Sequence, residues 1–537
     1  MSQHFQHPRL LLVEDEPHVY LTLQRYLKNE GYAVTLATDY QAAYTQLTTQ
    51  HFHLAIIDVR LADDETDQSG MQLLREVERL GLRGVMPCLI ITAIGTKAMA
   101  LQALQKLGAE RFIEKEPGLY ITELLDAIRV ALGKYRFSFG IEYVVGTAHK
   151  IEQGAQYVRS EEPSWPLPEQ LVPQIEDLLG KLFYGANRLW IDKIYAGLSG
   201  SFVLEAHPTW PTGLGQSMIV KIGRRDKTRT EEENYQHHVE HFLPARHATH
   251  LSTAYTRHLG GLLYTFVEME AEDTINFNTF YQHHTPQQIG AALHYLFTNT
   301  CRLWYQGRTP PDYESLRDLY LAAFNLSHQP DRLAREITSL RPEYDSHDTL
   351  ISFAAPAVTL PNPLHWLARD EATVMPVCRS ITHGDLQADN ILMNEAGECW
   401  LIDFYRTYRS HILRDFIELE TDIKFRLMGD LTPEDFARLE ETLINLQHPD
   451  QALALPDGLP ETAQKAAHVI SGLRTEAWRL LDAIQPNVRL IQREYLTGLL
   501  LGTLNILRLR HYKETTELQP RRELALLSAA LICRQLQ

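Results

Sequence analysis

Apolar and polar positions along the first 135 residues follow two alternating periods. Five short apolar runs have the length of buried strands, and between them apolar residues recur every three or four positions. The predicted strands are residues 9–13, 33–36, 54–57, 89–91 and 111–113, and the predicted helices are residues 19–28, 40–48, 71–80, 97–107 and 121–132. This alternation predicts a doubly wound, five-stranded parallel sheet, whose functional residues lie at the carboxyl ends of the strands.

A different pattern begins near residue 186. At first short strands follow one another through tight turns, and from about residue 276 the chain is mostly helical. The preceding segment is rich in proline and ends in a predicted amphipathic helix over residues 171–182. We therefore predict an α/β domain, a linker with a connecting helix, and a two-lobed α+β domain with a large helical C-lobe. These are residues 1–135, 136–185 and 186–537, with the small lobe at about 186–275 and the helical lobe at about 276–537.

The composition narrows the classes of partner and compartment. A chain of 537 residues is too long for one core, and 44% hydrophobic with 22% charged residues is typical of a soluble globular protein. The formal net charge of −17 disfavours nucleic acid or an anionic membrane as a partner, because no basic block offsets it. The five cysteines form no paired framework, and neither a signal peptide nor a membrane-spanning run is evident. We therefore expect a cytoplasmic protein.

Charged and polar residues cluster at the carboxyl ends of the predicted N-terminal strands. The residues at these ends are Glu14, Asp15, Asp58, Thr92 and Lys115. Three carboxylates at one edge repel one another unless a divalent cation lies among them. With Mg²⁺ bound, Asp58 can act as a nucleophile toward a phosphoryl group, which Lys115 and Thr92 would then contact.

These residues, in this order, make residues 8–133 similar to the receiver domain of bacterial response regulators. The resemblance implies a flavodoxin-like fold, bound Mg²⁺ and an upstream sensor histidine kinase as the partner. It also implies that Asp58 is the phosphoacceptor and that Glu14 and Asp15, together with Asp58, bind Mg²⁺. The switch residues that it implies are Thr92, Phe112 and Lys115. A homodimer formed through the receiver is left open.

A second candidate site lies within residues 381–404. Asn390 follows His383-Gly-Asp385 by five residues, and Asp403 comes at the end of the next apolar strand. Transfer from a nucleotide needs a carboxylate beside the acceptor hydroxyl, and an amide oxygen with a second carboxylate to hold Mg²⁺. Asp385, Asn390 and Asp403 supply these three groups in that order.

The strands before this motif offer groups for the nucleotide. A predicted hairpin turns through small residues whose backbone N–H groups can approach phosphates, namely Gly197, Ser199, Gly200 and Ser201. Lys221 lies on the next apolar strand, where burying an ammonium is costly unless it meets phosphate and a carboxylate. We favour Glu233 as its partner, in a helix predicted to begin at Glu231, with Glu231 and Glu232 as alternatives.

Together these motifs resemble the protein-kinase-like fold, in particular its aminoglycoside and choline phosphotransferase branch, because the motif is His-Gly-Asp and not His-Arg-Asp. The sequences at 401–407 and 413–420 further resemble kinase-like domains called ternary-complex-associated domains. The resemblance covers residues 186–537 and implies ATP or another nucleoside triphosphate, with Mg²⁺, as cofactors. It implies that Asp385 is the catalytic base and that Asn390 and Asp403 bind Mg²⁺. It also implies that Lys221 contacts the nucleotide phosphates, and that His383 and Asp415 support the catalytic loop.

These motifs lead to three hypotheses on function. We favour a response regulator, phosphorylated on Asp58, whose output is an ATP- and Mg²⁺-dependent phosphotransferase acting on an unidentified acceptor or protein partner. The alternative is a nucleotide-binding pseudokinase or adaptor that signals through protein partners without phosphoryl transfer. A DNA-binding regulator is disfavoured by the acidity. Separately, His237, His238 and His241 offer a zinc site as the alternative to a polar helix face, which we favour.

Overall fold

The computed structural model describes residues 7–537 except 63, 65, 94, 162–164, 197–199, 244–247, 266–274, 328–330, 370–372, 447, 449–450 and 485–486. The chain divides into two compact units. Unit 1 comprises residues 1–232 and 250–266, and unit 2 comprises residues 233–249 and 267–537. The division by sequence into three segments stays a prediction.

Unit 1 begins with five alternating strands and helices. These are β1 (Arg9–Val13), α1 (Pro17–Asn29), β2 (Ala33–Ala37), α2 (Tyr40–Thr49), β3 (Leu54–Asp58), α3 (Ser69–Arg79), β4 (Cys88–Thr92), α4 (Lys97–Leu101), β5 (Arg111–Glu114) and α5 (Tyr120–Lys134). The strands form a parallel sheet in the order β2-β1-β3-β4-β5. All ten predicted elements are confirmed, with α4 continued by a π-helical segment over Gln102–Lys106.

Alternation of side chains along β1 explains why this sheet is buried on both faces. Leu11 and Val13 belong to the core that also contains apolar residues of α2 and α3. Leu10 and Leu12 point to the other face and join the core formed with α1 and α5. Because successive side chains of a strand point to opposite faces, a continuous apolar run is what a sheet covered by helices on both sides requires.

The rest of unit 1 is a mainly antiparallel sheet with two helices before it. Its elements are β6 (Glu142–Tyr143), α6 (Thr147–Glu161), α7 (Pro168–Leu182), β7 (Arg188–Ala196), β8 (Phe202–Trp210), β9 (Gly213–Leu214), β10 (Met218–Arg224), α8 (Arg225–His238), β11 (His250–Tyr255) and β12 (Leu259–Thr265). The strand order is β11-β12-β10-β8-β7-β6, with β9 paired to β8 and β6 parallel to β7. Apolar residues of α6 and α7 share one core with this sheet.

Two features of this region differ from the sequence predictions. The connecting helix predicted over 171–182 is confirmed as α7, but α6 was not predicted. The helix predicted to begin at Glu231 begins six residues earlier, at Arg225, because β10 runs into α8 without an intervening loop. The last turns of α8, from residue 233, belong to unit 2.

Unit 2 is mostly helical, as predicted, with short two- and three-stranded sheets. Its elements are β13 (Ile275–Asn276), α9 (Phe277–His283), α10 (Pro286–Tyr295), α11 (Arg302–Gln306), β14 (Asp312–Ser315), α12 (Leu316–Ala323), α13 (Arg332–Leu340), β15 (Leu350–Phe353), β16 (Val358–Pro361), α14 (Pro363–Leu367), β17 (Val374–Val377), β18 (Arg379–Thr382), β19 (Ile391–Met393), β20 (Cys399–Leu401), β21 (Tyr408–His411), α15 (Arg414–Asp422), α16 (Pro433–Ile444), α17 (Glu461–Asp482), α18 (Val488–Ile506), α19 (Arg510–Glu514) and α20 (Gln519–Leu536). The pairs β18–β21 and β19–β20 frame the loops that carry the candidate catalytic residues.

The state of the cysteines agrees with the expectation from the sequence. All five cysteines are free and buried, as their unpaired spacing predicted. Among the residues that the structure describes, no helix is both long enough and apolar enough to cross a membrane.

Candidate functional site

Three carboxylates meet at the carboxyl edge of the parallel sheet in unit 1. Oxygens of Glu14, Asp15 and Asp58 lie within 4.8 Å of one another. Lys115, just beyond β5, donates from Nζ to Glu14 Oε2 at 2.7 Å and to Asp58 Oδ2 at 2.6 Å. The sequence prediction that these four residues converge is therefore confirmed.

Burial governs the ionisation of this cluster. Desolvation raises the pKa of Asp58, and it raises the pKa of Glu14 to about 7. Desolvation alone would lower the pKa of Lys115, but the two carboxylates outweigh it and raise that pKa. One lysine cannot neutralise three carboxylates, and a donor set made of oxygens alone is what Mg²⁺ prefers. The residues present fit a divalent cation.

Gly70, near the start of α3, packs against the backbone of the candidate phosphoacceptor. Its N–H donates to the Val59 carbonyl oxygen at 3.0 Å. A Cβ atom at position 70 would lie 1.8 Å from the carbonyl oxygen of Asp58. Glycine is therefore required here by close approach of two backbone segments.

Gly70→Ala is expected to displace Asp58 and to destabilise unit 1 by about 1–3 kcal/mol, the usual cost of an overpacked site. Urea unfolding and labelling of Asp58 by acetyl phosphate would measure both effects. The control is Gly133→Ala in α5, where an added Cβ meets nothing within 4 Å. Equal stability and equal labelling of the two variants would contradict the prediction.

The predicted switch residues Thr92 and Phe112 lie on β4, which pairs with β3, and on β5, which pairs with β4. Thr92 ends β4 and is buried, and its carbonyl oxygen accepts from the Lys115 N–H at 2.7 Å. Phe112 on β5 is half-buried against the core shared with α2 and α3. Their role as a switch pair stays a prediction.

In unit 2, Asp415 fixes the backbone of the His-Gly-Asp motif. Its Oδ2 accepts from the His383 N–H and its Oδ1 from the Gly384 N–H, both at 2.9 Å. The Tyr305 hydroxyl donates to the same Oδ2 at 3.2 Å. Asp415 is fully buried, so these bonds replace the water that an ionised carboxylate would otherwise need. This is the supporting role that the resemblance implied.

Two further carboxylates of α15 continue this anchoring, and the sequence analysis missed them. Glu418 Oε2 accepts from the Leu386 N–H at 3.0 Å, and Asp422 Oδ2 accepts from the Ala388 N–H at 2.8 Å. They follow Asp415 by three and seven residues, a spacing that puts all three on one helical face. That spacing was the available signal. The loop that contains the His-Gly-Asp motif therefore lies along a row of hydrogen-bond acceptors.

The side chain of Asp385 is 36% exposed within this fixed loop. Desolvation raises its pKa, and Arg406, whose Nη1 lies 3.9 Å from Asp385 Oδ1, acts in the opposite direction. Asn390 donates from Nδ2 to the Asp385 carbonyl oxygen at 2.8 Å. In this orientation the Asn390 amide oxygen is the atom available to a cation.

Asp403 lies in an uncommon backbone conformation just beyond β20. Its φ of 67° is in the left-handed region that non-glycine residues rarely adopt. His383 Nε2 hydrogen-bonds the carbonyl oxygen of Ile402, the residue before Asp403, at 2.9 Å, and this bond connects the turn to the loop of the His-Gly-Asp motif. The charge of Asp403 also contributes to the raised pKa of Asp385. A carboxylate and an amide oxygen from Asp403 and Asn390 fit the ligands of Mg²⁺.

Lys221 in unit 1 has the expected carboxylate partner, but not the favoured one. Its Nζ lies 2.7 Å from Oε2 of Glu231, which is buried. The prediction of Glu233 is wrong, because that side chain is exposed on another face of α8. On β10, Lys221 is paired in register with Val203 and Leu262.

Of the predicted glycine-serine turn, the structure describes Gly200 and Ser201. Gly200 has a φ of 75°, as a tight turn requires, and Ser201 is buried. A Cβ at Gly223 would lie 3.0 Å from the Cβ of Ser201, so the end of the turn packs on β10. Gly197 and Ser199 lie outside the described residues. The phosphate role of this turn stays a prediction.

The histidines at the end of α8 do not appear among the candidate metal groups of the described residues. Those groups are Glu14 with Asp15 and Asp58, His51 with His53 and Asp177, and Asp192 with Glu205 and His207. His237 Nδ1 instead hydrogen-bonds the Glu233 carbonyl oxygen at 2.7 Å on its own helix. The bond is consistent with a polar helix face at His237 and His238, but α8 ends at His238, so the prediction that His241 shares this helix is wrong.

Two family models match this chain, one in its N-terminal part and one in the rest. A model for the response regulator receiver domain matches residues 10–129, and a model for ternary complex associated domain 9 matches residues 188–355 and 332–508. The matches to the second model together span more than half of the chain. The chain belongs to the ternary complex associated domain 9 family and carries the receiver domain of a two-component response regulator at its N-terminus. A receiver domain implies a cognate sensor kinase as partner.

Similar proteins and solved structures cover about a third of this chain or less. Transcriptional regulatory protein TctD of Salmonella typhimurium is 29% identical over 184 residues, 34% of this chain and 74% of that protein. Transcriptional regulatory protein ZraR of Escherichia coli is 34% identical over 106 residues, 20% of this chain and 22% of that protein. Among solved structures, a CheY-like receiver domain protein from Methanospirillum hungatei is 26% identical, covering 24% of this chain and 96% of its own, with a TM-score of 0.22.

Proposed function

We propose that this chain is a response regulator in which phosphorylation of Asp58 controls an ATP- and Mg²⁺-dependent phosphotransferase of protein-kinase-like fold in residues 186–537. The observation that carries the proposal is the fixed loop of unit 2. Its backbone is held by Asp415 and two more carboxylates of α15 and presents Asp385 and Asn390. Phosphoryl transfer depends mainly on positioning and charge stabilisation, which is what such a rigid loop provides.

Each candidate residue has a role in this proposal. Asp385 orients the acceptor hydroxyl and takes its proton, and its raised pKa brings it closer to the working range of a base. Asn390 and Asp403 would hold Mg²⁺, which neutralises charge on the nucleotide phosphates when bound. Lys221, oriented by Glu231, would contact those phosphates.

Contacts within unit 1 support a route for the signal. The loop before β3 reaches α7, because His51 Nε2 lies 3.2 Å from Asp177 Oδ2. Lys181 Nζ lies 3.0 Å from the same carboxylate and donates to the Tyr255 carbonyl oxygen at 2.8 Å, at the end of β11. The receiver is thereby tied to the sheet that carries Lys221. The tie is at the amino end of β3, opposite Asp58, so a signal would cross the length of that strand.

A sensitive ATP-turnover assay on the full-length chain, with a broad panel of hydroxyl acceptors, tests the proposal. We expect turnover to fall at least about 100-fold in Asp385→Ala, the usual contribution of a general base. The control is Asp312→Asn, an exposed aspartate of β14. Turnover that is equal in wild type and Asp385→Ala contradicts the proposal. Nucleotide-dependent thermal stabilisation without turnover would support the adaptor instead.

Glu231→Gln is expected to weaken MgATP binding about tenfold, whereas Glu233→Gln should leave it unchanged. The amide loses the charge-assisted bond that orients Lys221, which contributes about 1.5–3 kcal/mol. The shift in melting temperature with added MgATP would report binding in both variants. An equal loss in the two variants would argue against Lys221 and Glu231 as the nucleotide pair.

A further inference from the structure

The C-terminal end of α3, in the receiver, contacts the first residue of α8. Gly81, just after α3, has a φ of 69°, and its N–H donates to the Glu78 carbonyl oxygen at 2.9 Å, as in a left-handed helix cap. The carbonyl oxygen of Gly81 accepts from Arg225 Nη1. The backbone N–H of Arg225 donates to the His258 carbonyl oxygen at 2.9 Å, in the turn between β11 and β12. Arg225 therefore joins α3 to the sheet that carries Lys221.

The opposite end of α3 lies against the phosphoacceptor. Gly70 contacts the backbone of Asp58 so closely that a Cβ atom at position 70 would lie 1.8 Å from the Asp58 carbonyl oxygen. The helix is continuous over Ser69–Arg79, and its buried apolar side chains pack in one core of the parallel sheet. A helix packed in this way moves as one body, because displacing a single turn would open cavities in the core. We therefore expect a displacement of the backbone at Asp58 to reach Gly81.

The first two turns of α8 connect this contact to the nucleotide pair. Arg225 and Glu231 are six residues apart on the helix, and Glu231 Oε2 lies 2.7 Å from Lys221 Nζ. Close packing leaves the helix little freedom between them, since a Cβ atom at Gly260 on β12 would lie 2.6 Å from the Cβ atom of Thr228. A shift of Arg225 is therefore expected to move Glu231 relative to Lys221.

Tyr255, at the end of β11, links the receiver to the same part of α8. Its ring packs against the receiver core that contains residues of α2 and α3, and the guanidinium of Arg225 lies 5.9 Å from the centroid of that ring. Its hydroxyl donates to Glu232 Oε2 at 2.5 Å. The residue next to Glu231 is thus bonded to a side chain that packs on the receiver.

Two other contacts between the receiver and the rest of unit 1 begin away from Asp58. Arg257 Nη1 donates to the Leu47 carbonyl oxygen at 2.5 Å, and Gln170 Nε2 donates to the Thr49 carbonyl oxygen at 2.9 Å. Both acceptors belong to the last turn of α2, which leads to the amino end of β3. These bonds fasten the receiver, whereas the contact through α3 joins the helix that touches Asp58 to the helix that carries Glu231.

We infer that Arg225 is a positioning residue, which couples phosphorylation of Asp58 to nucleotide binding at Lys221 by setting the position of α8. The inference rests on the proposed function and names how its nucleotide site is regulated. Two sites that bias the same element are coupled reciprocally, so phosphorylation and nucleotide each change the affinity for the other by the same factor. Such a factor is usually about 5 to 150.

Titration calorimetry of the full-length chain measures this coupling apart from turnover. A non-hydrolysable ATP analogue is titrated with Mg²⁺ present, in the absence and in the presence of beryllium fluoride as the phosphoryl analogue on Asp58. We expect the two dissociation constants to differ at least about fivefold in wild type, and to agree within about twofold in Arg225→Gln. Arg225→Lys should retain part of the difference, because its ammonium group can still donate to the Gly81 carbonyl oxygen.

Three further variants locate the effect. Asp58→Asn should show no effect of beryllium fluoride, which excludes a direct action on the nucleotide site. Arg188→Gln changes an exposed arginine of β7 that is paired with Glu142, and it should keep the wild-type difference. If Arg225→Gln does not fold, as judged by thermal melting, Tyr255→Phe takes its place and should reduce the difference in the same way, because it deletes only the hydroxyl bonded to Glu232.

The outcomes separate this inference from the proposed function. Equal dissociation constants in wild type, the same ratio in wild type and Arg225→Gln, or an equal loss in Arg188→Gln each overturn the inference. Turnover that depends on Asp385 would leave the phosphotransferase standing in all three cases. Coupling that depends on Arg225, without any turnover, supports the inference and overturns the phosphotransferase in favour of the nucleotide-binding adaptor. An analogue that binds under neither condition overturns both.

Discussion

Asp415→Ala is expected to lower the free energy of unfolding of the chain by about 3–5 kcal/mol. The fully buried carboxylate accepts from two loop amides and from Tyr305, and its removal leaves those donors without water or partner. Each stranded buried donor costs about 1–3 kcal/mol, and the first two belong to the backbone that precedes Asp385. Urea unfolding followed by circular dichroism would measure the loss, since the signal is dominated by the helices of unit 2.

Tyr305→Phe is the matched control for this prediction. It deletes the hydroxyl donor and leaves both bonds from His383 and Gly384 to Asp415 in place. Because the acceptor keeps two partners, we expect a loss of only about 1 kcal/mol. If Asp415→Ala were no less stable than Tyr305→Phe, the backbone of the His-Gly-Asp loop would have to be held by something other than this carboxylate.

The receiver was the most predictable part of the molecule, and packing explains why. Strand β1 was predicted at its observed limits, because its residues are buried on both faces and form an uninterrupted apolar run. Parallel strands also place their carboxyl ends at one edge. Knowing where β1, β3 and β5 end was therefore enough to bring Glu14, Asp58 and Lys115 together.

The partner of Lys221 was missed because the start of α8 was misplaced. Starting from the observed helix, Thr228, Glu231 and Tyr235 recur at intervals of three and four residues and are all buried. Glu233 lies outside this row and is exposed. The helical period alone would have selected Glu231. The error arose because a polar segment directly after β10 resembles a loop more than a helix.

The contacts of Glu418 and Asp422 could not be predicted from the sequence for a different reason. Their spacing from Asp415 places them on one face of a helix, but nothing in the sequence says which backbone that face meets. The bonds to Leu386 and Ala388 join segments more than thirty residues apart. A helical period predicts a face, and tertiary packing decides what the face contacts.

Lowering the pH from 6.5 to 4.5 is expected to remove about 2–3 kcal/mol from the stability of unit 1, because of His53. Burial lowers the pKa of His53 to about 3, against an ordinary value of 6.5 in the unfolded chain. Between these values the unfolded chain binds a proton that the folded chain does not, so stability falls as the pH falls. Each pH unit in this window corresponds to about 1.4 kcal/mol, and above pH 6.5 the effect vanishes. Urea unfolding at several pH values would measure it.

The residues around His53 explain why its pKa is lowered, and they indicate which substitution can serve as a control. Its ring packs edge-on against Phe137 and Phe139, and its Nδ1 accepts from the Arg9 N–H at 2.9 Å. His53→Asn keeps an acceptor for that N–H but cannot titrate, so its stability should fall less steeply with acidification. His149→Asn, at an exposed position of α6, should leave the dependence of stability on pH unchanged. An identical slope in wild type and His53→Asn would assign the proton uptake to other groups, whereas a flattened slope would place it where the receiver meets α7.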